Sequence, residues 1–378
     1  MTHAPAAGVV DADATDLFGL TAALVAVPSE SHHEAELADL VEARLRERAP
    51  SLAIDRVAHN IVVRTQLGRD RRVLLGGHLD TVPANGGNEV PRVEGDTLFG
   101  LGSADMKSGL AVLLRIAEEL HADAQLPAPR ITHDVTLVFY EAEEVRDEFN
   151  GLGIVMREQP ELLAADFAIL LEPTEGWVEA GCQGVLVAKA GFDGERAHAA
   201  RPWMGSNAIH SASEVLARLA DHEADTVDVD GLQFRESFQV VGIEGGVQGK
   251  HNVVPDRCTI TVNRRFAPKY SPEEAEAQVR ELLEGADDIE ILQAQLAAPP
   301  NLTDPLVDEF VSGLSLPVRP KLGWTDVARF AALGIPALNF GPGDPEIAHT
   351  QGEFVTRQSV ERCYDVLSQF VGVSVGVA

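Results

Sequence analysis

The chain is poor in cysteine and has no long apolar run, and both scarcities limit what kind of protein it is. Its 378 residues include three cysteines, Cys182, Cys258 and Cys363, which lie far apart and form no CxxC pair. Such spacing builds neither a disulfide framework nor a zinc knuckle, and it predicts a protein of the reducing cytoplasm. No apolar run reaches the roughly 20 residues that a membrane-spanning helix needs. Residues 1–18 lack a basic segment and contain three aspartates, so we expect no secretory signal.

Positive charge is scarce as well. The chain has 30 Lys and Arg residues against 59 Asp and Glu, which gives a formal net charge of −29 at pH 7. A surface this acidic repels nucleic acid and anionic membranes, so we expect a partner of neither kind. Genome composition or adaptation to salt is the ordinary explanation for an excess of acidic residues. The excess alone therefore indicates no function. An anionic substrate would have to meet local arginine or metal charge, because the overall field opposes its approach.

The apolar residues are arranged as in a two-domain α/β protein. At 378 residues and 45% hydrophobic content, the chain is long for a single core. Short apolar runs at 72–76, 135–140 and 167–171 predict strands buried on both faces of a mixed, largely parallel sheet. A further apolar strand is predicted at 335–341. The periodicity of apolar residues predicts flanking helices at 14–27, 33–47, 106–121, 304–314 and 357–372.

The middle of the chain follows a different pattern. After about residue 182 the predicted elements run strand, helix, strand, strand, helix, strand, which is the ferredoxin-like α+β arrangement. The second of these helices opens with a capping box formed by Ser271 and Glu274, with Pro272 between them. The predicted domains are therefore an outer α/β domain of residues 1–182 and 296–378, and an inserted domain of residues 183–295.

Five acid and imidazole side chains each stand at the end of an apolar run. They are His78 in LLGGHLDTVP, Asp105 in GLGSADMKSG, Glu144 in FYEAEEV, Glu172 in AILLEP and His349 in EIAHTQ. Two imidazoles and three carboxylates suit a pair of zinc-like ions when one carboxylate bridges them. Strand carboxyl ends are also where α/β sheets form their sites. Glu143, beside Glu144, supplies the additional carboxylate that such a site needs as a base, so the set predicts a hydrolase.

Each of these residues, taken alone, also has an ordinary structural explanation. Asp105 could cap the helix predicted at 106–121, since Asp is a preferred N-cap residue. His78 could belong to a turn, and Glu143 to a solvated acidic loop. The glycine-rich segment around Asp105 has neither the Rossmann spacing nor a following GK[ST], which disfavours a nucleotide-binding enzyme.

Together the motifs resemble the two-domain, co-catalytic zinc peptidases and deacylases, a family that includes aminoacylase, glutamate carboxypeptidase and acetylornithine deacetylase. The resemblance spans essentially the whole chain, with HLDTVP, GxGxxDMKxG, the Glu-Glu pair, the strand-ending Glu and the late His in the family order. The segments AHAARPWMGSNAIH, GGVQGKHNVVPD, KLGWTDVARFAALGIPALNFGPGDP and AHTQGE are most similar to the actinobacterial branch of succinyl-diaminopimelate desuccinylases. The resemblance implies a zinc-peptidase-like α/β domain with an inserted lid domain.

The resemblance also implies a role for each matching residue. The metal ligands would be His78 and Glu172 for one ion, Glu144 and His349 for the other, and Asp105 as the bridge. Glu143 would act as general base and acid, and Asp80 would support His78. His198 of the lid would polarise the scissile carbonyl in the other copy of a homodimer. Asn252, Arg265 and Thr325 match positions near the substrate carboxylates.

The implied activity is hydrolysis of a linear amide bond in a small N-acylated amino acid. The cofactors would be two divalent ions, zinc or alternatively cobalt or manganese. In the desuccinylase branch the reaction removes succinate from N-succinyl-LL-2,6-diaminopimelate, in lysine and peptidoglycan-precursor biosynthesis. Cys182–Gln183 stands where some desuccinylases carry two arginines, and Glu141–Ala142 stands where Ser/Thr-Asp is common. The alternatives are another deacylase such as acetylornithine deacetylase, a dipeptidase or carboxypeptidase, and a silent metal-binding protein, which the intact Glu143 disfavours.

Overall fold

The fold is that of a computed structural model, which describes residues 7–223, 225–246 and 248–373. The chain forms two compact units. Unit 1 comprises the residues up to Ala180, Asn301–Arg319 and the residues from Leu333 onward, and unit 2 comprises Gly181–Pro300 and Pro320–Ala332.

The division of the chain differs from the prediction in the segment Pro320–Ala332, which the sequence places in the outer domain and the structure places in unit 2. Two hydrogen bonds join this segment to other residues of unit 2. Cys182 Sγ donates to the carbonyl of Thr325 at 3.8 Å, and Trp324 Nε1 donates to the carbonyl of Leu296 at 3.2 Å. Because both bonds join residues far apart in the chain, no local pattern in the sequence indicates them.

The strands and helices of the described residues are numbered in chain order. The strands are β1 (Ala53–Val57), β2 (Asn60–Arg64), β3 (Arg72–His78), β4 (Arg92–Glu94), β5 (Thr97–Phe99), β6 (Asp134–Tyr140), β7 (Phe167–Leu170), β8 (Val178–Ala180), β9 (Gly184–Asp193), β10 (Ala197–His198), β11 (Thr226–Val229), β12 (Leu232–Arg235), β13 (Ser237–Gly245), β14 (Val253–Val254), β15 (Arg257–Phe266), β16 (Asp288–Gln295), β17 (Val318–Pro320), β18 (Ala337–Asn339) and β19 (Phe354–Thr356). The α-helices are α1 (Ala7–Asp11), α2 (Leu17–Val25), α3 (Ala35–Arg48), α4 (Ser108–Ala124), α5 (Gly151–Glu158), α6 (Ala208–Ser211), α7 (Ser213–Asp221), α8 (Pro272–Leu282), α9 (Pro305–Val311), α10 (Val327–Ala332) and α11 (Arg357–Val371).

Unit 1 is built on an eight-stranded mixed sheet with the strand order β1-β2-β6-β3-β7-β18-β8-β17. Strands β6, β3, β7 and β18 run parallel to one another. The pairs β1–β2, β2–β6 and β18–β8 are antiparallel. The apolar residues of β3, β6 and β7 are buried, as continuous apolar runs predict for strands covered on both faces. The predicted fold class of a largely parallel sheet flanked by helices is confirmed. No helix in the described part of the chain has the length and hydrophobicity required to cross a bilayer.

Unit 2 contains a four-stranded antiparallel sheet of order β13-β15-β9-β16, with α6, α7 and α8 packed against it. The predicted strand-helix-strand-strand-helix-strand order is present, and both hydrogen bonds of the capping box at Ser271 and Glu274 are formed. The first helix of this arrangement is interrupted at Ala212, which separates α6 from α7. There Ser213 Oγ donates to the carbonyl of His210 at 2.7 Å, a local bond that competes with the regular helix ladder.

A buried ion pair stabilises unit 2, and its removal is the first testable prediction. Glu236 Oε2 accepts from Arg264 Nη2 at 2.8 Å, and Glu236 Oε1 accepts from the backbone N–H of Ala267 at 2.6 Å. Both charged side chains are almost fully buried. Glu236→Ala leaves the guanidinium buried without its counter-charge, so we expect the free energy of unfolding to fall by about 3–5 kcal/mol.

Chemical denaturation of the Glu236→Ala variant measures this loss. The matched control is Glu276→Ala, which removes an exposed i,i+4 pair with Arg280 and should cost less than about 1 kcal/mol. Equal, small decreases in the free energy of unfolding of the two variants would show that the buried pair stabilises the protein no more than the exposed pair does.

Candidate metal centre

The ends of three neighbouring parallel strands bring predicted ligands to one edge of the unit 1 sheet. Strand β3 ends at His78, which pairs with Tyr140 at the end of β6. Glu143 and Glu144 follow β6 in the chain, and Glu172 follows β7 by two residues. Because parallel strands end on the same side of a sheet, side chains from three separate segments meet there.

The five predicted ligands form two groups that share one member. The candidate ligand atoms of His78, Asp105 and Glu172 lie within 4.8 Å of one another, and so do those of Asp105, Glu144 and His349. Asp105 Oδ1 lies 3.0 Å from His78 Nε2, while Asp105 Oδ2 lies 3.3 Å from His349 Nε2. Each oxygen of one carboxylate thus faces a different group, which is the arrangement that a bridging ligand between two metal ions requires.

Asp80 ties the ends of β3 and β6 together. Its carbonyl lies 3.0 Å from His78 Nδ1, and because a carbonyl only accepts, Nδ1 carries the proton. Nε2 faces the Asp105 carboxylate at 3.0 Å and is the ring nitrogen that would ligate a metal ion once it gives up its own proton. The Asp80 carboxylate accepts from the backbone N–H groups of Glu143 and Glu144 at 3.0 and 3.1 Å, and from Ser31 Oγ at 2.7 Å. Asp80 therefore fixes both the imidazole of His78 and the loop that carries Glu143 and Glu144.

Asp105 lies in an irregular turn and does not cap a helix. Helix α4 begins at Ser108, two residues later than predicted, and its first turn has no side-chain cap hydrogen bond. The preceding Ser103–Lys107 segment is a wide turn in which Asp105 has non-helical dihedral angles and the Asp105–Met106 peptide bond is cis. The capping explanation for Asp105 is wrong, because the carboxylate faces His78 and His349.

Opposite charges control the ionisation of the cluster. Burial opposes a charged His78, yet hydrogen bonds to Asp105 and Asp80 raise the pKa of His78 well above its usual range. Hydrogen bonds to Asp105 and Glu144 raise the pKa of His349 to about 10. Burial alone would raise the pKa of Asp105, but the two imidazoles outweigh it and hold that pKa far below the usual value. Since a metal ion binds neutral imidazole, cation binding at this cluster displaces protons.

The cluster fits a pair of divalent cations. Two imidazoles face the three carboxylates of Asp105, Glu144 and Glu172, and the carboxylate of Glu143 lies within 4.8 Å of the ligand atoms of His78 and Glu144. Carboxylates held this close repel one another, and cations placed among them relieve the repulsion. Mixed imidazole and carboxylate donors suit zinc, cobalt and manganese alike.

His198 and Asn252 lie next to each other in unit 2. His198 belongs to the two-residue strand β10, which pairs with β14, and Asn252 directly precedes β14. The Asn252 carbonyl accepts from the Ala199 N–H at 2.9 Å. His198 Nδ1 accepts from the Ala200 N–H at 3.0 Å, so the exposed neutral ring carries its proton on Nε2. His198 can therefore donate a hydrogen bond to a carbonyl oxygen.

Arg265 and Thr325 also belong to unit 2. Arg265 lies on β15, where its Nε donates to Asn263 Oδ1 at 3.1 Å and where burial lowers its pKa. Thr325 is buried, and its carbonyl accepts from Cys182 Sγ. The contacts of these two residues do not test their predicted positions near substrate, which stay predictions.

Buried carboxylates that support the site loops were not predicted from the sequence. Glu34 accepts from the backbone N–H of Ala142 at 3.1 Å, beside the Glu-Glu pair. Glu353 accepts from the backbone N–H groups of Ala104 and Asp105 at 2.9 and 3.0 Å. Glu34 has no sequence signal that separates it from the other acids of the chain. Glu353 has one weak signal, its place in the AHTQGE motif four residues after the histidine.

Comparisons with known proteins point to one family. The sequence profile described as Peptidase family M20/M25/M40 matches residues 74–372. The chain is 49% identical over 358 residues to the "Putative succinyl-diaminopimelate desuccinylase DapE" of Mycobacterium tuberculosis (strain ATCC 25618 / H37Rv), covering 94% of this chain and 98% of that protein. It is 43% identical over 366 residues to the succinyl-diaminopimelate desuccinylase of Corynebacterium glutamicum, covering 94% and 97%.

Solved structures of lower sequence identity share the fold. The aminopeptidase PepT of Bacillus cereus ATCC 10987 has a TM-score of 0.78 and 20% identity, with 97% of this chain and 99% of that chain covered. The YXEP protein of Bacillus subtilis, described as a dinuclear metal binding peptidase of the M20 family, has a TM-score of 0.69 and 14% identity, with 95% and 98% covered.

Proposed function

Since this chain belongs to Peptidase family M20/M25/M40, we propose that it hydrolyses N-succinyl-LL-2,6-diaminopimelate to succinate and LL-2,6-diaminopimelate. The observation that carries the hydrolytic chemistry is the cluster of two imidazoles and three carboxylates in which Asp105 faces both groups. The choice of the succinyl group is supported by the two relatives that bear the name desuccinylase and that align over nearly their whole length. The product is a precursor of lysine and peptidoglycan, and the unpaired cysteines support a cytoplasmic location.

The proposed metal ligands follow the two groups of the cluster. His78 and Glu172 would hold one ion, Glu144 and His349 would hold the other, and Asp105 would be shared by both. When bound, the two ions supply a Lewis acid for the scissile carbonyl and lower the pKa of the attacking water. Zinc is the proposed metal, and cobalt and manganese suit the same donors.

Glu143 is the proposed proton carrier. Its backbone N–H donates to Asp80 Oδ1 at 3.0 Å, which fixes the Glu143 backbone beside the metal ligands. In the reaction the Glu143 carboxylate takes a proton from the attacking water and then delivers it to the nitrogen of the leaving amine. The amide C–N bond breaks as that nitrogen is protonated, which leaves succinate and the free amine.

His198 is the proposed donor to the scissile carbonyl, acting in the other copy of a homodimer. Its Nε2–H is available because Nδ1 is occupied by the Ala200 N–H. Dimerisation through unit 2 is supported by β13, which lies at the edge of its sheet and exposes Val241 and Ile243 by 62% and 55%. An exposed apolar edge strand is a surface on which a second copy can pair. Removing an oxyanion donor typically costs about 10²–10³-fold in kcat, which is the effect expected for His198→Ala.

Mixing two inactive variants tests whether His198 acts between copies. His198→Ala and Glu143→Gln chains are unfolded together, refolded as a mixture and assayed. If His198 serves the other copy, each mixed dimer has one site with both residues intact, and roughly a quarter of wild-type activity returns. Activity that stays at the level of the separate variants contradicts action between copies.

The carboxylate of the succinyl group requires a cation, and the pair Cys182–Gln183 does not supply one. Both residues are buried, and Gln183 Nε2 donates to the carbonyl of Arg235 at 2.7 Å. Arg265, predicted near the substrate, is the proposed partner for a substrate carboxylate, because a guanidinium binds carboxylates with two parallel hydrogen bonds.

A substrate panel with metal-loaded protein tests the proposed function. We expect kcat/KM for N-succinyl-LL-2,6-diaminopimelate to exceed that for N-acetylornithine and for a dipeptide by at least about 100-fold. A higher kcat/KM for N-acetylornithine or for the dipeptide would replace the desuccinylase by that alternative. Absence of turnover on all three substrates with two ions bound would favour a silent metal-binding protein.

A further inference from the structure

The turn that carries Asp105 lacks the hydrogen bonds of a regular helix. Asp105 and Met106 have φ/ψ angles of −119/93° and −137/40°, far from helical values. A buried N–H that finds no partner in secondary structure is satisfied by another acceptor, such as a side-chain oxygen. The direction of the Asp105 carboxylate therefore depends on whatever holds the backbone of this turn.

Glu353 holds that backbone. A single oxygen, Glu353 Oε1, accepts from the N–H of Ala104 at 2.9 Å and from the N–H of Asp105 at 3.0 Å. The side chain is 1% exposed, so water does not compete for these two donors. The two bonds orient the peptide groups on either side of the Ala104 Cα atom. They thereby fix the position of the Asp105 backbone nitrogen.

Glu353 also lies on the segment that carries His349. Its carbonyl accepts from the Gly100 N–H at 3.1 Å, and its own N–H donates to the carbonyl of Thr350 at 3.3 Å. The next residues form β19, which pairs with β5 just before the Asp105 turn. One residue therefore joins two ligand-bearing segments that are separated by more than 240 positions in the chain.

We propose that Glu353 is a positioning residue of the metal centre, which aims the Asp105 carboxylate by accepting the two N–H groups of its turn. This inference rests on the proposed function only in taking Asp105 as the ligand shared by both ions. Glu353 needs its acceptor oxygen for this role and does not need its charge. Groups that orient metal ligands typically contribute about 10–100-fold to metal affinity, and we expect an effect of that size here.

Two substitutions separate the acceptor oxygen from the charge. Glu353→Gln keeps an Oε1 that can accept both N–H groups, whereas Glu353→Leu fills a similar volume with no acceptor. Titration of the metal-free proteins with Co²⁺ and Zn²⁺ against a chelator gives their affinities without substrate. We expect Glu353→Leu to bind both metals about 10–100-fold more weakly and Glu353→Gln to stay within about threefold of wild type.

Asp123 provides the matched control for the loss of a buried acceptor. It is 2% exposed, and its Oδ2 accepts from the backbone N–H groups of Arg130 and Ile131 at 2.8 and 3.2 Å. It lies near the far end of α4, about 25 Å along the helix from the Asp105 turn. Asp123→Leu should lower the melting temperature of the metal-free protein as Glu353→Leu does, with metal affinity unchanged.

Three outcomes decide the question. A loss of affinity in Glu353→Leu alone supports the positioning role, and rescue by Gln identifies the acceptor oxygen as its cause. Equal losses in the Leu and Gln variants, or no loss in either, overturn the inference. If wild-type protein binds no metal, the proposed function fails instead, and the two failures are thereby distinguished.

Discussion

Replacing Glu143 with Gln is expected to lower kcat on N-succinyl-LL-2,6-diaminopimelate by about 10²–10⁴-fold while both metal ions stay bound. A glutamine has nearly the same size and leaves the bond from the residue 143 N–H to Asp80 in place. Its amide cannot take a proton from water or return one to the leaving nitrogen. The loss therefore falls on the chemical step and not on the structure of the site.

Steady-state kinetics and elemental analysis of the same preparation check this prediction. Glu148→Gln is the control, because Glu148 is an exposed acid of the same segment that pairs only loosely with Arg146. We expect that variant to keep its kcat. Wild-type kcat in Glu143→Gln would show that the base is wrongly assigned. Loss of metal from Glu143→Gln would instead make Glu143 a ligand, as its proximity to His78 and Glu144 allows.

Replacing Asp105 with Asn is expected to weaken both ions at once and to lower kcat/KM by more than about 10³-fold. Each Asp105 oxygen faces a different group of ligands, and the substitution removes the negative charge that both groups share. His349 belongs to one group only, so His349→Ala should weaken one ion and leave the other in place. Comparing the two variants tests whether Asp105 is a ligand shared by both ions.

Metal stoichiometry at a fixed free-metal concentration distinguishes the two variants. The expected ratios of bound metal to protein approach zero for Asp105→Asn and one for His349→Ala, against two for the wild-type chain. A stoichiometry of one in Asp105→Asn would place Asp105 in a single site and would remove the shared ligand from the mechanism.

The sheet and most of the cluster could be predicted from the sequence because each depends on local features. Buried parallel strands are continuous apolar runs, and the acids and imidazoles stand where those runs end. The capping box of α8 is likewise a local pattern, read from Ser271 and Glu274. Only the order of the motifs along the chain separates His78 and Glu172 from ordinary buried polar residues.

The supports of the cluster could not be predicted, because they depend on contacts between distant segments. The turn at Asp105 has no periodicity of apolar residues, so the sequence pattern places the start of the following helix two residues too early. Glu353 and Glu34 are two acids among 59, and only the folded chain places them against the loops that carry ligands. The segment Pro320–Ala332 belongs to unit 2 through its bonds to residues of that unit, which its own sequence does not show.

Product analysis in ¹⁸O-labelled water tests the proposed two-metal desuccinylase most directly. Metal-loaded protein is incubated with N-succinyl-LL-2,6-diaminopimelate, and the masses and amounts of the products are measured by mass spectrometry. The predicted result is equal amounts of succinate and diaminopimelate, with one labelled oxygen in each succinate and no product from metal-free protein. Absence of succinate from fully loaded protein, or equal release by the metal-free chain, would contradict it.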